Sequence, residues 1–489
     1  MRKLLPVLHV LGLVIALFSM TMAIPLATSF IFSDGARDAF IHAMVVGLIA
    51  GLLLCLATRS QRRELTPRDG FLLVSLVWSV LALIATLPLL FYYHQIGAPL
   101  SMTDAYFEAM SGLTTTGATV LSGLDNLPPS INVWRCTLVW IGGMGILVLA
   151  VAILPMLGAG GSQLFRAETP GPMKDEKLTP RITGTAKGLY AIYMLISVLC
   201  LLAYRMAGMN WYEAYCHMAS TIGLGGFSTR DASFAAFDSP AIEMVAVVFM
   251  TIAGISFTLH FQAFRRRSLG PYWRSTEAKA YLAVLAISVA AITALLLQRG
   301  NYDSVWTALR FALFNTVSVA TTTGFVSTDY STWPIFAPVW MLVLSCFATC
   351  AGSTGGGIKM IRVVILVKQA RRELIHILHP RAINPVHIGG LPVPNRVVFS
   401  VMAFMLLYWA SLMALTMAML YTGLDPVTAF TAVLASLSNT GPGLADVGPA
   451  GTFAVLSDAQ TWICTFAMLI GRLELFAVLV LFTRAFWRK

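Results

Sequence analysis

The chain has 489 residues, of which 57% are apolar and only 11% charged, with a net charge of +11 and a mean hydropathy of +0.78. A soluble domain carries about 25% charged residues, so this composition excludes a soluble enzyme, a disordered chain and a disulfide-stapled secreted domain. It reads as an integral membrane protein with many spans.

Arg2 and Lys3 precede an apolar stretch from about Leu4 to Phe32. That stretch exceeds the roughly 7–15 residues of a signal-peptide core, so it reads as a retained first helix. Runs long enough to cross about 30 Å of hydrocarbon recur. They lie at 4–32, 39–57, 70–93, 132–157, 185–207, 241–264, 278–297, 334–367, 396–422 and 457–486, which predicts an all-α fold of ten transmembrane helices. Gly352-Ser353-Thr354-Gly355-Gly356-Gly357 interrupts the eighth run. Cys55, Cys136, Cys200, Cys216, Cys346, Cys350 and Cys464 lie in or beside apolar runs with no CxxC pair. They read as small buried residues rather than disulfides or metal ligands.

Threading the ten spans from an inside N-terminus puts 26 of the 33 Lys and Arg and 7 of the 22 acids inside, a net +19. Six basic residues and 14 acids fall outside, a net −8, and Arg472 and Glu474 remain within the last span. A cytoplasmic excess of Lys and Arg sets orientation, so both termini are expected in the cytoplasm. The outer acids are either solvated loop residues or a negative mouth that concentrates cations.

Four short segments resemble one another. They are Leu113-Thr114-Thr115-Thr116-Gly117-Ala118, Ala219-Ser220-Thr221-Ile222-Gly223-Leu224, Ala320-Thr321-Thr322-Thr323-Gly324-Phe325 and Leu437-Ser438-Asn439-Thr440-Gly441-Pro442. Their glycines are 106, 101 and 117 residues apart, and each lies between an outward and an inward span. Each follows 10–17 residues of helical pattern opened by Asp104, Asn210, Asp303 or Asp425-Pro426, which look like helix caps. Such helices are too short to span. They predict four units of span, re-entrant helix, non-helical strand and span, closing around an axis that shields the irregular backbone. Rings of backbone carbonyls with Thr hydroxyls below replace the water of a monovalent cation. Glycine supplies the backbone conformation that such a strand needs. The helix C-termini favour a cation over an anion.

These residues resemble the potassium-channel pore loop and, more closely, the membrane subunit of bacterial Trk/Ktr potassium uptake systems of the TrkH/TrkG type. The resemblance covers nearly the whole chain. It includes the extra N-terminal spans at 4–57 and the runs at 112–119, 222–229, 351–359 and 471–474. It implies a pseudo-four-fold repeat of helix–pore loop–helix units. Residues 1–68 form a two-helix extension, and repeats cover 69–182, 183–275, 276–393 and 394–489. By position, the potassium-lining residues are Thr115, Thr116, Gly117, Thr221, Ile222, Gly223, Thr322, Thr323, Gly324, Asn439, Thr440 and Gly441. Only the first glycine of the Thr-Val-Gly-Tyr-Gly pattern survives in each, and Ile222 and Asn439 break the equivalence. The expectation is potassium preference with imperfect rejection of sodium. The resemblance also implies a homodimer in the bacterial inner membrane on a cytosolic TrkA-like ring, which binds nucleotide (NAD, ATP or ADP). Potassium is the bound substrate, and this chain needs no cofactor of its own.

The same resemblance reads Gly352, Ser353, Thr354, Gly355, Gly356 and Gly357 as a gating loop below the filter, with a helix kink as the alternative. A Walker A reading fails, because Ile358 stands where its lysine should be and no Ser or Thr follows Lys359. Arg472, nearly central in the last span, is functional by default at that depth. Facing the pore, it would oppose cation passage and hold the closed state. Glu474 is expected to meet Lys359 or a backbone group. His217 reads as a packed or rim residue, having no second His at ligand spacing. The inner basic segments 265–274 and 359–381 enforce orientation, meet anionic lipid or dock the partner. Nucleic acid is not an expected partner. Proton- or sodium-coupled symport is the rival mechanism, with Glu474 its one candidate carboxylate. A membrane enzyme is disfavoured by the lack of HExxH, GxSxG or paired intramembrane aspartates.

Overall fold

The computed structural model describes residues 4–59, 65–145, 182–381 and 384–488. The end of the fourth predicted span (146–157) lies outside them. So do the charged residues Arg2, Lys3, Arg62, Arg63, Glu64, Arg166, Glu168, Lys174, Asp175, Glu176, Lys177, Arg181 and Lys489, which entered the charge balance. Among the described residues the protein is α-helical. Its one exception is a hairpin, β1 (His387–Ile388) with β2 (Leu391–Pro392), turned at Gly389-Gly390, both with positive φ.

Six helices are long and apolar enough to cross a membrane: Leu5–Phe32, Arg37–Thr58, Arg68–Gln95, Lys187–Met206, Thr276–Gln298 and Asn395–Tyr421. Two of the predicted spans are instead sharply broken. Pro240–Ala253 and Phe257–Arg266 meet at 91°, and Asp458–Arg472 and Phe476–Phe482 at 107°. The first break occurs at Gly254, where a Cβ would collide with the Tyr281 hydroxyl. The second carries two consecutive non-glycine residues of positive φ, Glu474 and Leu475. Arg472 therefore ends a helix rather than sitting mid-span. The 334–367 run divides into helices Phe336–Phe347 and Met360–Leu378.

In the N-terminal extension, α1 (Leu5–Met20) packs on α3 (Arg37–Thr58) through small residues, with α2 (Ala23–Phe32) between them in the chain. A Cβ on Gly12 would stand 2.8 Å from the Gly51 carbonyl, and one on Gly47 would overlap Ser19. In lipid there is no hydrophobic drive between helices, so close backbone approach supplies the packing.

The rest repeats one plan four times: a long helix, a short helix, a non-helical segment and a further helix. The long helices are α4 (Pro67–Gln95), α7 (Ile182–Met206), α12 (Thr276–Gln298) and α16 (Asn395–Tyr421). The short ones are α5 (Met102–Leu113), α8 (Trp211–Gly223), α13 (Val305–Ala320) and α17 (Pro426–Ser438). The closing helices are α6 (Pro129–Gly143), α9 (Pro240–Ala253), α14 (Phe336–Phe347) and α18 (Asp458–Arg472). Asn210 and Asp425 cap their short helices through their side chains, whereas the other two caps are Ser101 and Ser304. Asp104 lies inside its helix and bonds back to the Ser101 hydroxyl, and Asp303 precedes the cap.

Candidate functional site: a four-segment ring and the loop beneath it

The four segments after the short helices converge, and their backbones share one pattern. A residue of left-handed conformation (Thr115, Leu224, Thr322, Asn439) is followed two positions later by a positive-φ glycine (Gly117, Gly226, Gly324, Gly441). The left-handed residue donates its N–H to the carbonyl three back. The next residue (Thr116, Gly225, Thr323, Thr440) donates to the carbonyl five back, at 2.8, 3.0, 2.8 and 2.9 Å.

The segments also close on one another. A Cβ on Gly117 would strike the Gly225 carbonyl, one on Gly226 the Thr323 carbonyl, one on Gly324 the Thr440 carbonyl, and one on Gly441 would stand 2.8 Å from the Thr116 carbonyl. Each glycine is thus required twice, by its φ and by the neighbouring strand.

This pattern corrects the register expected for the second segment. Thr221, Ile222 and Gly223 form the last turn of α8, and Leu224, Gly225 and Gly226 occupy the ring positions. The visible signal was the pair Gly226-Phe227, which matches Gly324-Phe325. No Thr-Gly pair marks it, because this ring segment has no threonine. Thr221 instead accepts or donates a 2.7 Å bond with the Tyr204 hydroxyl, and the Ile222 carbonyl points to the loop below. The other predicted lining residues, Thr115, Thr116, Thr322, Thr323, Asn439 and Thr440, all lie in the ring and are fully buried. Left-handed φ at Thr115 and Thr322 is strained for a β-branched residue. Asn439 adopts it more easily and donates to Thr116 Oγ1 and the Met468 carbonyl, both at 3.0 Å.

Each short helix sends one polar side chain to brace the strand beyond its glycine, and the four chemistries differ. Glu108 accepts from the Val120 N–H (3.1 Å) and from the Thr119 hydroxyl (3.0 Å). His217 Nε2 pairs with Ser228 Oγ at 3.0 Å. The Asn315 amide bonds the Ser327 N–H and hydroxyl at 3.2 and 3.0 Å. The Thr431 hydroxyl accepts from the Leu444 N–H at 3.0 Å. Glu108 also forms a buried 2.8 Å ion pair with Arg135. That guanidinium reaches the Ser228 carbonyl at 3.2 Å and lies 4.3 Å over the Phe227 ring, so it ties the first strand to the second. A carboxylate in a short apolar helix is the sequence signal for this brace. Several other outer acids are also paired: Arg230 with Asp125 and Glu213, and Arg310 with Asp238 and Glu243.

Below the ring runs the glycine-rich loop; its apex touches the second, third and fourth repeats and is tied to the first through Arg472. Thr354 Oγ1 donates to the Ile222 carbonyl at 2.8 Å, and the Gly356 N–H donates to Thr322 Oγ1 at 2.9 Å. A Cβ on Gly356 would overlap the Ser438 carbonyl, and one on Gly355 would stand 3.1 Å from the Thr321 carbonyl. Arg472 donates to the Thr354 carbonyl (2.9 Å) and to Gly142 of the first repeat (2.5 Å). Ser353 donates to the Cys350 carbonyl at 2.6 Å, and Gly352 and Gly357 adopt positive φ. Buried Lys359 bonds back to the Gly355 carbonyl. Glu474 pairs with Arg362, a partner beyond the expected Lys359 or backbone group. The helix break at 474–475 turns its carboxylate toward Met360–Leu378, where Arg362 also lies 3.9 Å over the Phe404 ring.

The profile of the TrkH family, described as cation transport protein, matches residues 36–489. The chain belongs to the TrkH family. It is 46% identical to the Trk system potassium uptake protein TrkH of Halomonas elongata over 99% of both chains. Identity to the Trk system potassium uptake protein TrkG of Escherichia coli is 36%, over 99% of this chain and 98% of that one. The crystal structure of the potassium transporter TrkH from Vibrio parahaemolyticus superposes with a TM-score of 0.90 at 42% identity, covering 99% of this chain and 100% of that chain. As a member of this family the chain is a membrane transporter of multi-span fold, not an enzyme.

Proposed function

We propose that this chain takes up potassium across the bacterial inner membrane through a filter formed by the four converging segments. The reading rests on the closed ring in which each glycine abuts the carbonyl of the next strand. Four carbonyls from Thr116, Gly225, Thr323 and Thr440 would replace the water of a dehydrated cation, and the C-termini of four short helices would favour positive charge. The relatives' names as potassium uptake proteins supply the ion. Leu224 and Gly225 break the four-fold chemistry, as does Asn439, so potassium is preferred with incomplete rejection of sodium. The repeats are taken as 69–182, 183–275, 276–393 and 394–489 after the 1–68 extension.

Gly352–Gly357 act as a gate in this reading. The loop occupies the inner side of the ring, with Arg472 holding the Thr354 carbonyl and Lys359 the Gly355 carbonyl. The chain is a homodimer on a nucleotide-binding cytosolic ring, with both termini cytoplasmic. Its exposed basic segment at 265–274 is available to that partner or to anionic lipid. Passive, gated uptake is favoured over symport, since Glu474, the candidate coupling carboxylate, is engaged by Arg362.

The test is complementation of a potassium-uptake-deficient bacterium, with and without the ring subunit, alongside reversal potentials in proteoliposomes. Growth rescue and a reversal that follows potassium alone are expected. A reversal that moves with pH would instead establish proton coupling.

A further inference from the structure

The glycine-rich loop is held at its base by an acidic residue of a neighbouring helix. Glu277 stands in the first turn of α12. Its Oε1 accepts two backbone N–H groups: Ala351, where the loop leaves, at 2.7 Å, and Ile361, where the chain re-enters helix, at 3.1 Å. The second bond fills a gap that the local sequence leaves open. The helix Met360–Leu378 (α15) begins after Lys359, whose side chain has donors only and supplies no cap. The first N–H groups of a helix need acceptors, and a carboxylate there is favoured by the helix dipole. Glu277 is that cap, provided by another helix.

The same base is tied to a second place. The Cys350 N–H donates to the Gly254 carbonyl at 3.0 Å and the Phe257 N–H donates to the Gly352 carbonyl at 2.9 Å. Gly254 and Phe257 flank the 91° break before α10 (Phe257–Arg266), and α11 (Gly270–Arg274) then leads into α12. The inner segment carrying exposed Arg265, Arg266, Arg267 and Arg274 therefore grips the loop base at both of its ends.

We infer that Glu277 is a positioning residue for the loop: one carboxylate oxygen pins both of its ends and passes movement of the 257–275 segment on to it. This rests on the reading of the loop as a gate. Because a single oxygen accepts both bonds, Glu277→Gln keeps the clamp and Glu277→Ala removes it.

Potassium flux through the full-length chain in proteoliposomes, without regulatory partner, tests the inference. Loss of an acceptor shared by two N–H groups shifts a two-state equilibrium by about tenfold, so Glu277→Ala raises basal flux about tenfold. Glu277→Gln stays within about twofold of wild type. Glu277→Asp, one methylene short of both donors, gives the same rise as Ala should the latter fail to fold. Alkylation of buried Cys350, read by peptide mapping, accelerates in parallel. Arg472→Ala is the reference. If it raises flux while Glu277→Ala and Glu277→Asp do not, the clamp is wrong and the gate stands. If Glu277→Gln leaks like Ala, the residue acts by charge and the positioning claim is overturned. If neither Arg472→Ala nor Glu277→Ala raises flux, the gate reading falls and takes the inference with it.

Discussion

The ring and the loop beneath it are a few ångströms apart and are held by opposite means. Backbone geometry fixes the ring: one left-handed residue, one glycine and two N–H bonds recur in every segment, while the side chains vary from Thr to Leu to Asn. Ionic side chains fix the loop, which exists once and draws Lys359, Arg362 and Glu277 from the third repeat and Arg472 and Glu474 from the fourth. A structure that must present equal oxygens around an axis gains from uniform, rigid backbone. On the proposed reading of the loop as a gate, a segment that occupies two positions is better held by a few strong bonds that can be exchanged.

The comparison breaks most decisively at the ring glycines. Gly226→Ala should lower potassium uptake by about 100-fold or more, because its Cβ lands on the Thr323 carbonyl in a left-handed backbone. Thr221→Ser, which keeps the bond to Tyr204, should complement as wild type does. Equal loss from both changes, measured as growth on limiting potassium, would restore the register expected from the Thr-Gly pattern.

Next is the one brace that is ionic. Arg135→Ala leaves Glu108 buried without its cation, and breaking such a pair costs about 3–5 kcal/mol. The expected result is a lower melting temperature in detergent together with reduced discrimination against sodium; unchanged values of both would show that the pair does not support the ring. Third, Arg472→Ala should raise basal cation flux by about tenfold without lowering selectivity, since it frees the loop and leaves the ring intact. A selectivity change of comparable size would mean that loop and ring are one structure. The smallest effect belongs to Asn439→Ala. It removes two hydrogen bonds but keeps the ring carbonyl, so the potassium-to-sodium ratio should fall by no more than about threefold.

Much of this was legible in the chain. Apolar run lengths give the all-α, multi-span fold, because a bilayer demands long helices with satisfied backbone. Three of the four ring segments were legible too, since Thr115–Gly117, Thr322–Gly324 and Asn439–Gly441 keep their polar residues beside the glycine. The second was misplaced by three residues because Leu224-Gly225-Gly226 satisfies the same backbone with no hydroxyl. Carbonyl geometry does not depend on side chain, so residue identity is a weak guide to it. The breaks at Gly254 and Glu474 were not legible for a different reason: each helix pair is apolar enough as a whole to read as one span.

The sequence by itself determined which residues are too polar or too flexible for their depth: Arg472, Glu474 and the glycines between 352 and 357. Only the tertiary structure decided their partners. Glu474 met Arg362, and Glu277 reached across 74 and 84 positions to close the loop. Hydropathy and spacing act along the chain and can be read there. A buried charge is satisfied by whichever group the packing brings within hydrogen-bonding distance, and that is a property of the folded molecule alone.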